Sequence, residues 1–265
     1  MLKGAIHTHS TYSDGDLTLG ELREAFVAEG CRFAMMTDHA EYFDAARLRD
    51  YVSECESLSD DRFLFVAGLE YECEHRMHLL GYGVTSLAGT TDPQRVIEHI
   101  KGEGGVSVIA HPMNSMFDWI ETFDALPDGI ETWNTKYDGQ YAPRPGTFRL
   151  LARLQERAPR MRAFYGMDLH WKDQPRAIFN LVRRDEPARD ALLEAFRGGD
   201  YTGLKDGAEL PSDGALPADV LARYGEVNDR YMRKQRLFRS VKKFSGAVGR
   251  GLPEPVKARI RRIFS

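Results

Sequence analysis

The sequence predicts an α/β fold in which parallel strands close into a barrel. Three observations predict it. Strand-like apolar runs alternate with helix-like segments over most of the chain, and such alternation makes helices the crossovers between parallel strands. The 265 residues suffice for one such barrel, although two small domains would need a similar length. Six of the eight histidines stand at the ends of predicted strands or within two residues of an acid. In a parallel barrel those ends open on one face, where chemistry collects.

The elements follow in order. Residues 3–9 (KGAIHTH) read as the first strand. Residues 18–30 read as a helix, with Thr18 as N-cap, Glu21 three residues on and Gly30 at the stop. Residues 32–38 read as a strand, 44–59 as a helix, and 62–71 and 77–82 as strands. Asp92-Pro93 supplies a cap and first-turn pair for a helix over 93–103. Residues 105–110 form a buried strand that runs into His111-Pro112. Further strands are predicted at 129–133, 162–168 and 176–183, and helices at 146–158 and 186–198. The body is expected to span 1–203. Residues 204–219, rich in Gly, Pro and Asp, read as a linker within a linker-and-helix segment 204–229.

Composition narrows the classes. Hydrophobic residues make up 42% and charged residues 29%, which is ordinary for a soluble globular protein. No apolar run approaches the ~20 residues that span a bilayer, and the first ten residues lack the apolar core of a signal peptide. Cys31, Cys55 and Cys73 have unrelated spacings, so neither a disulfide framework nor a thiolate metal site is expected. A reducing cytoplasm fits these features. Residues 230–265 hold twelve Lys or Arg and one acid, Glu254, so a basic tail follows an acidic body. Leu237, Val241, Phe244 and Val248 fall on one helical stripe there. Three readings stay open: the stripe docks on the barrel, lies on an anionic membrane surface, or meets nucleic acid.

The histidines carry the functional argument. His7-Thr8-His9 has period two, which sends both imidazoles to one side of a strand, and Asp168-Leu169-His170 repeats the device. Asp14 follows in the next loop, Asp38-His39 and Glu70 close strands, and His78 and His111 stand at strand ends. Imidazoles mixed with carboxylates and free of thiolates suit Zn, Mn or Fe, and suit Mg less well. His99 falls within a helix and reads as solvated; His75 reads as a turn residue.

These motifs resemble a known family. His7-Thr-His-Ser-Thr-Tyr-Ser-Asp14-Gly, Thr37-Asp-His39, Gly68-Leu-Glu70, His78-Leu-Leu-Gly81, Ala110-His-Pro112 and Gly166-Met-Asp168-Leu-His170 are similar, in order, to the motifs of the PHP (polymerase and histidinol phosphatase) family. The resemblance covers roughly residues 1–203. It implies a distorted seven-stranded β/α barrel with a cluster of two or three divalent metals. It would assign His7, His9, Glu70 and Asp168 to the first metal, with Glu70 bridging to a second completed by His78 and His111. Asp14, His39 and His170 would hold the third.

The chemistry expected of such a site is phosphate-ester hydrolysis, because metal ions neutralise the ester's charge and make hydroxide available near neutral pH. A hydroxide held between the first two metals is the expected nucleophile, with Glu70, His39 and Asp38 as catalytic candidates. Asp38 would orient a histidine or handle a proton. Asn134, Lys136, Arg144, Lys172 and Arg176 are the candidate substrate contacts. Trp133 and Trp171 either wall a pocket or pack. The expected substrate is a small phosphomonoester or a nucleotide. Two alternatives remain: a nuclease acting on nucleic-acid ends, and a non-catalytic, metal-stabilised binding module.

Overall fold

In the computed structural model the backbone is described for residues 1–248 and side chains through residue 237. The strands are β1 Leu2–Thr8, β2 Phe33–Met36, β3 Asp38–His39, β4 Leu64–Val66, β5 Gly68–Glu72, β6 His78–Tyr82, β7 Val106–Ala110, β8 Gly129–Asn134, β9 Arg162–Gly166, β10 Phe179–Val182, β11 Tyr201–Lys205 and β12 Ala208–Pro211. The helices are α1 Leu19–Ala28, α2 Ala45–Ser57, α3 Pro93–Gly102, α4 Phe117–Ile120, α5 Pro145–Arg157, α6 Arg189–Gly198 and α7 Ala218–Val248.

Local chemistry sets the helix starts. The Thr18 hydroxyl accepts from the Glu21 N–H at 3.2 Å, and the Glu21 carboxylate accepts from the Thr18 N–H at 2.9 Å. This reciprocal cap satisfies two N–H groups that α1 cannot satisfy itself. Asp44 and Asp92 cap α2 and α3 from one side, each carboxylate accepting from two first-turn N–H groups, and Pro93 occupies the first turn where its missing N–H costs nothing.

The hydrogen bonds among the described residues draw two six-stranded sheets rather than one closed seven-stranded barrel. One runs β12-β11-β10-β1-β2-β4 and the other β3-β5-β6-β7-β8-β9. Two chain segments pass from the first sheet to the second: β2 continues into β3 after Thr37, and β4 into β5 after Ala67. At the other edge the Met167 N–H donates to the Ile6 carbonyl and the His9 N–H to the Leu169 carbonyl. The two sheets therefore wrap one continuous apolar core that includes Phe26, Phe33, Phe164, Phe196 and Tyr201.

The expected parallel order holds only in part. β1-β2-β4, β3-β5 and β7-β8-β9 are parallel, whereas β6 and β10–β12 run antiparallel to their neighbours. Direction decides which end of a strand reaches the mouth. Parallel β5 delivers Glu70 there from its middle, and β7 leads into His111 just past its end. β6 delivers its first residue, His78, which pairs with Glu72 of β5 and Ala110 of β7.

The linker expected at 204–219 is corrected, and the boundary expected at 203 falls inside β11. β11 and β12 form a hairpin on the edge of the first sheet, turning through Asp206 (φ 49°) and Gly207 (φ 81°). Two successive left-handed residues match the right-handed strand twist, which is why Asp-Gly favours such turns. α7 then packs on the body: Asn228 donates to the carbonyls of Asp138 and Ala142 at 2.8 and 3.0 Å. The expected stripe at Val241, Phe244 and Val248 and the remainder of the basic tail lie outside the described side chains.

Candidate metal centre

β1 brings His7 and His9 to the mouth, but not by simple alternation. His7 has φ 58°, and the β1–β2 register slips between Ile6 and Thr8. His111 (φ 27°) and Asp168 (φ 52°) are also left-handed. Non-glycine residues in this region cost of order 1–3 kcal/mol each and persist where the surroundings over-determine them. Here they turn three side chains inward at the ends of strands.

All nine side chains read from the sequence converge. Glu70 is the hub. Its Oε2 lies 3.1 Å from Nε2 of both His7 and His9. Its Oε1 lies 2.6 Å from His78 Nδ1 and 3.2 Å from His111 Nε2. Asp168 Oδ1 lies 3.1 Å from His170 Nδ1 and 3.7 Å from Nε2 of both His7 and His9. Asp14 Oδ1 approaches His170 at 3.3 Å and His39 at 3.7 Å. Only Asp14 is exposed, at 40%, so the centre opens on that side.

Donor atoms fall into four overlapping groups: His9, Asp14, His39 and His170; His7, His9 and Asp168; His7, Glu70 and His111; and His39, Glu70 and His78. This grouping differs from the implied one: Glu70 is absent from the group of His7, His9 and Asp168, and His111 falls with His7. His9 joins the set around Asp14, and His78 falls with His39 rather than His111.

Charges are coupled across the cluster. Burial opposes a charged His7, but Glu131, Asp168 and Glu70 overcome it and raise its pKa well above the usual 6.5. Burial likewise opposes an ionised Glu70; His7, His111 and His78 nonetheless hold it well below the carboxylate range. Asp168 follows the same pattern, with His7, His170, His111 and Lys136 outweighing burial. His9 differs. Burial, helped by His170 and His7, outweighs Glu70 and lowers it to about 3, so it stays neutral with one unprotonated ring nitrogen.

The donor set fits divalent cations. Both ring nitrogens of His9 and Nδ1 of His39 are buried without a well-aligned hydrogen bond, although His9 Nε2 lies 3.1 Å from Glu70 Oε2. A buried polar atom left unsatisfied costs roughly 1–3 kcal/mol, and a cation would satisfy the unprotonated nitrogen of a ring. Imidazole nitrogens face carboxylate oxygens throughout the cluster with no thiolate among them, a mixture that suits divalent cations.

The residues around the centre include two missed in the sequence. Glu131, in the middle of β8, is buried, and its Oε1 lies 2.7 Å from His7 Nδ1. Its Oε2 accepts from the His111 N–H and from Asn134 Nδ2, both at 2.9 Å. An acid inside the apolar strand GIETW is the signal that could have found it. Tyr137, also missed, stacks on His111 with centroids 4.2 Å apart.

The other candidates divide. Lys136 is at the lip: its Nζ donates to Asp168 Oδ1 at 3.0 Å and lies 3.2 Å from both ring nitrogens of His170. Asn134 is buried, with Nδ2 committed to Glu131 and Asp168 and Oδ1 to the N–H groups of Lys136 and Tyr137. No capacity is left for a substrate. The Asp38 carboxylate accepts from Ser10 N–H, Ser10 Oγ and Ser13 Oγ at 2.8, 2.9 and 2.7 Å, so it shapes the loop that presents Asp14 and hydrogen-bonds no histidine. Arg144 bonds buried Asp138 at the start of α5. Arg176 lies 3.8 Å from Glu29, the C-cap of α1, at the end of that helix away from Asp14. Lys172 is exposed beside Asp16. Trp133 is buried and donates to the Gly139 carbonyl at 2.9 Å, whereas Trp171 is 48% exposed. His75 packs edge-on against Trp119. His99, expected to be solvated, is half-buried because Ser86 and Tyr71 close over it.

Comparison with known proteins agrees with this fold. A crystal structure of a two-domain protein from Bacteroides vulgatus, described as containing a predicted PHP-like metal-dependent phosphoesterase, matches with a TM-score of 0.55 and 16% identity, over 86% of this chain and 69% of that one. The likeness is one of fold. PsfC from Pseudomonas syringae shares the fold at a TM-score of 0.52 and 12% identity, over 88% of this chain and 98% of that one. A stretch of 79 residues is 32% identical to the DNA polymerase/3'-5' exonuclease PolX of Bacillus subtilis. That match takes in 27% of this chain and 14% of PolX, so the chain corresponds to a small part of that relative. No family model matches the chain. Among the described residues no helix is long and apolar enough to cross a membrane.

Proposed function

We propose that this chain is a metal-dependent hydrolase of phosphate esters acting on a small phosphomonoester or nucleotide. The observation that carries the reading is Glu70, whose two oxygens face different imidazole pairs, His7 with His9 and His78 with His111. A carboxylate so placed suits a site for adjacent cations. Two or three divalent ions, of Zn, Mn or Fe type, would neutralise phosphate charge and make hydroxide available at neutral pH. The name of the Bacteroides relative supports the same class.

The chain's own groups have separate tasks. Glu131 holds His7 by Nδ1 and so leaves Nε2 facing the cluster. His9 remains neutral because of its burial. Lys136 places an ammonium group beside Asp168, where it would meet a phosphoryl oxygen entering the mouth.

The test is turnover of aryl and nucleoside monophosphates by protein reconstituted with Mn, Fe or Zn. His9→Ala and Asp168→Ala should each abolish metal-dependent hydrolysis while retaining the circular dichroism of the parent. Retained turnover in both contradicts the assignment. A second reading, trimming of nucleic-acid ends, draws on the PolX match; labelled oligonucleotides consumed in preference to mononucleotides would favour it. Metal-dependent turnover of any aryl phosphate excludes a purely binding role.

A further inference from the structure

A cavity of about 670 Å³ lies beside the metal centre, between the loop after β8, the segment around Trp171 and one face of α7. Its near end is formed by Lys136 and Trp171. Lys136 Nζ also reaches Asp168 at 3.0 Å, so this end adjoins the cluster. Its far wall carries Arg230 and Lys234, four residues apart and therefore on one side of the helix. Tyr141 and Tyr231 add aromatic surface.

The wall is fixed rather than loosely apposed. Asn228 is buried and bonds two carbonyls of the opposite loop. A Cβ on Gly139 (φ 86°) would overlap the Tyr231 ring, so glycine there allows helix and loop to close together. Tyr224 packs on Trp133, with centroids 6.0 Å apart.

The lining has a definite chemistry. Trp171 and Tyr141 are 48% and 57% exposed and offer ring faces. Lys136 lies 5.6 Å from the Trp171 centroid, which draws cationic and aromatic surface together at the entrance. Arg230 and Lys234 make no ion pair among the described residues, and Asp173 is the one acid in the lining. Size and composition suit a ligand with a flat ring and a second negative charge.

We propose that this cavity binds the leaving group of the ester, and that the group is a planar aromatic carrying an anion of its own. The phosphoryl end would sit by Lys136, the ring against Trp171 and Tyr141, and the distal anion on Arg230 and Lys234. The proposal rests on the phosphoesterase reading. It gives the first cations of the basic tail a role at the mouth, in a small-molecule subsite.

The test uses the full chain, metal-loaded, with non-hydrolysable phosphonates in a calorimeter. Phenyl- and biphenylphosphonate are compared with their counterparts bearing a carboxylate at the far para position. The parent should bind at least one carboxylated ligand about tenfold or more tightly than its plain counterpart, as a charge-assisted contact predicts. The double variant Arg230→Ala/Lys234→Ala should lose that preference and keep its affinity for phenylphosphonate. Trp171→Ala should weaken all aryl ligands and leave methylphosphonate unchanged. Absence of a preference at both ligand lengths, or its survival in the double variant, overturns the subsite. Selective binding together with failure to hydrolyse any phosphate ester would instead sustain the subsite and overturn the phosphoesterase reading.

Discussion

Glu131 lies 2.7 Å from the Nδ1 of His7, and no solvent reaches either side chain. The contact fixes the imidazole plane, so that Nε2 faces both Glu70 and Asp168. Acids that orient histidine ligands in this way typically affect metal affinity by about 10- to 100-fold. Glu131→Gln should lower affinity for Mn or Zn by that factor with little loss of helix or sheet signal. Titration against a competing chelator reads it, and an unchanged affinity would show that His7 is held by other contacts.

Gly166 guards the same acid. A Cβ on Gly166 would overlap Oε1 of Glu131. Gly166→Ala should displace Glu131 and cost about 1–3 kcal/mol of stability, the usual penalty of overpacking. Denaturant unfolding measures the stability. The same protein should also show weakened metal binding, in the manner of Glu131→Gln.

Metal uptake should release protons. In the metal-free cluster His7 has its pKa raised above 6.5 by Glu131, Asp168 and Glu70 against the effect of burial, and so it keeps a proton at pH 7. A cation requires the neutral imidazole, so binding expels that proton and affinity falls as pH falls. Calorimetry in two buffers of different ionisation enthalpy should report net release at pH 7, and less of it for Glu131→Gln. Net uptake would reverse the sign of the argument.

The cysteines should be inert in the folded chain. Burial pushes Cys31 and Cys73 up to about 12 and Cys55 well above its usual value. The reactive thiolate is therefore scarce at pH 8. A disulfide reagent should label none of the three rapidly in the native protein and all three in denaturant. Fast native labelling would show that the core around them opens.

Most of the nine converging side chains were legible because they sit beside strand ends, which are marked by where apolar runs stop; Asp14, in the loop after β1, and Glu70, inside β5, were legible from the motifs around them. Their left-handed backbone at His7, His111 and Asp168 was not legible, since no histidine or aspartate announces its own φ. Glu131 escaped because an acid in the middle of a strand looks like a solvent-facing residue until the packing of β8 is known. Strand direction was legible only where a helix crossover implied parallel order, and β6 brings His78 to the mouth by running the other way. The β11–β12 hairpin did leave a signal. Asp206-Gly207 lies between short strands, but the Gly- and Pro-rich residues that follow masked it as a linker.

The most direct test of the metal centre is elemental analysis of the reconstituted full chain, with mass spectrometry counting divalent ions per polypeptide in the parent and in Glu70→Ala. A shared centre predicts about two or three bound ions in the parent, and a loss of more than one from this single substitution because Glu70 faces both imidazole pairs. Fewer than one ion per parent chain, or an unchanged count in Glu70→Ala, would contradict it.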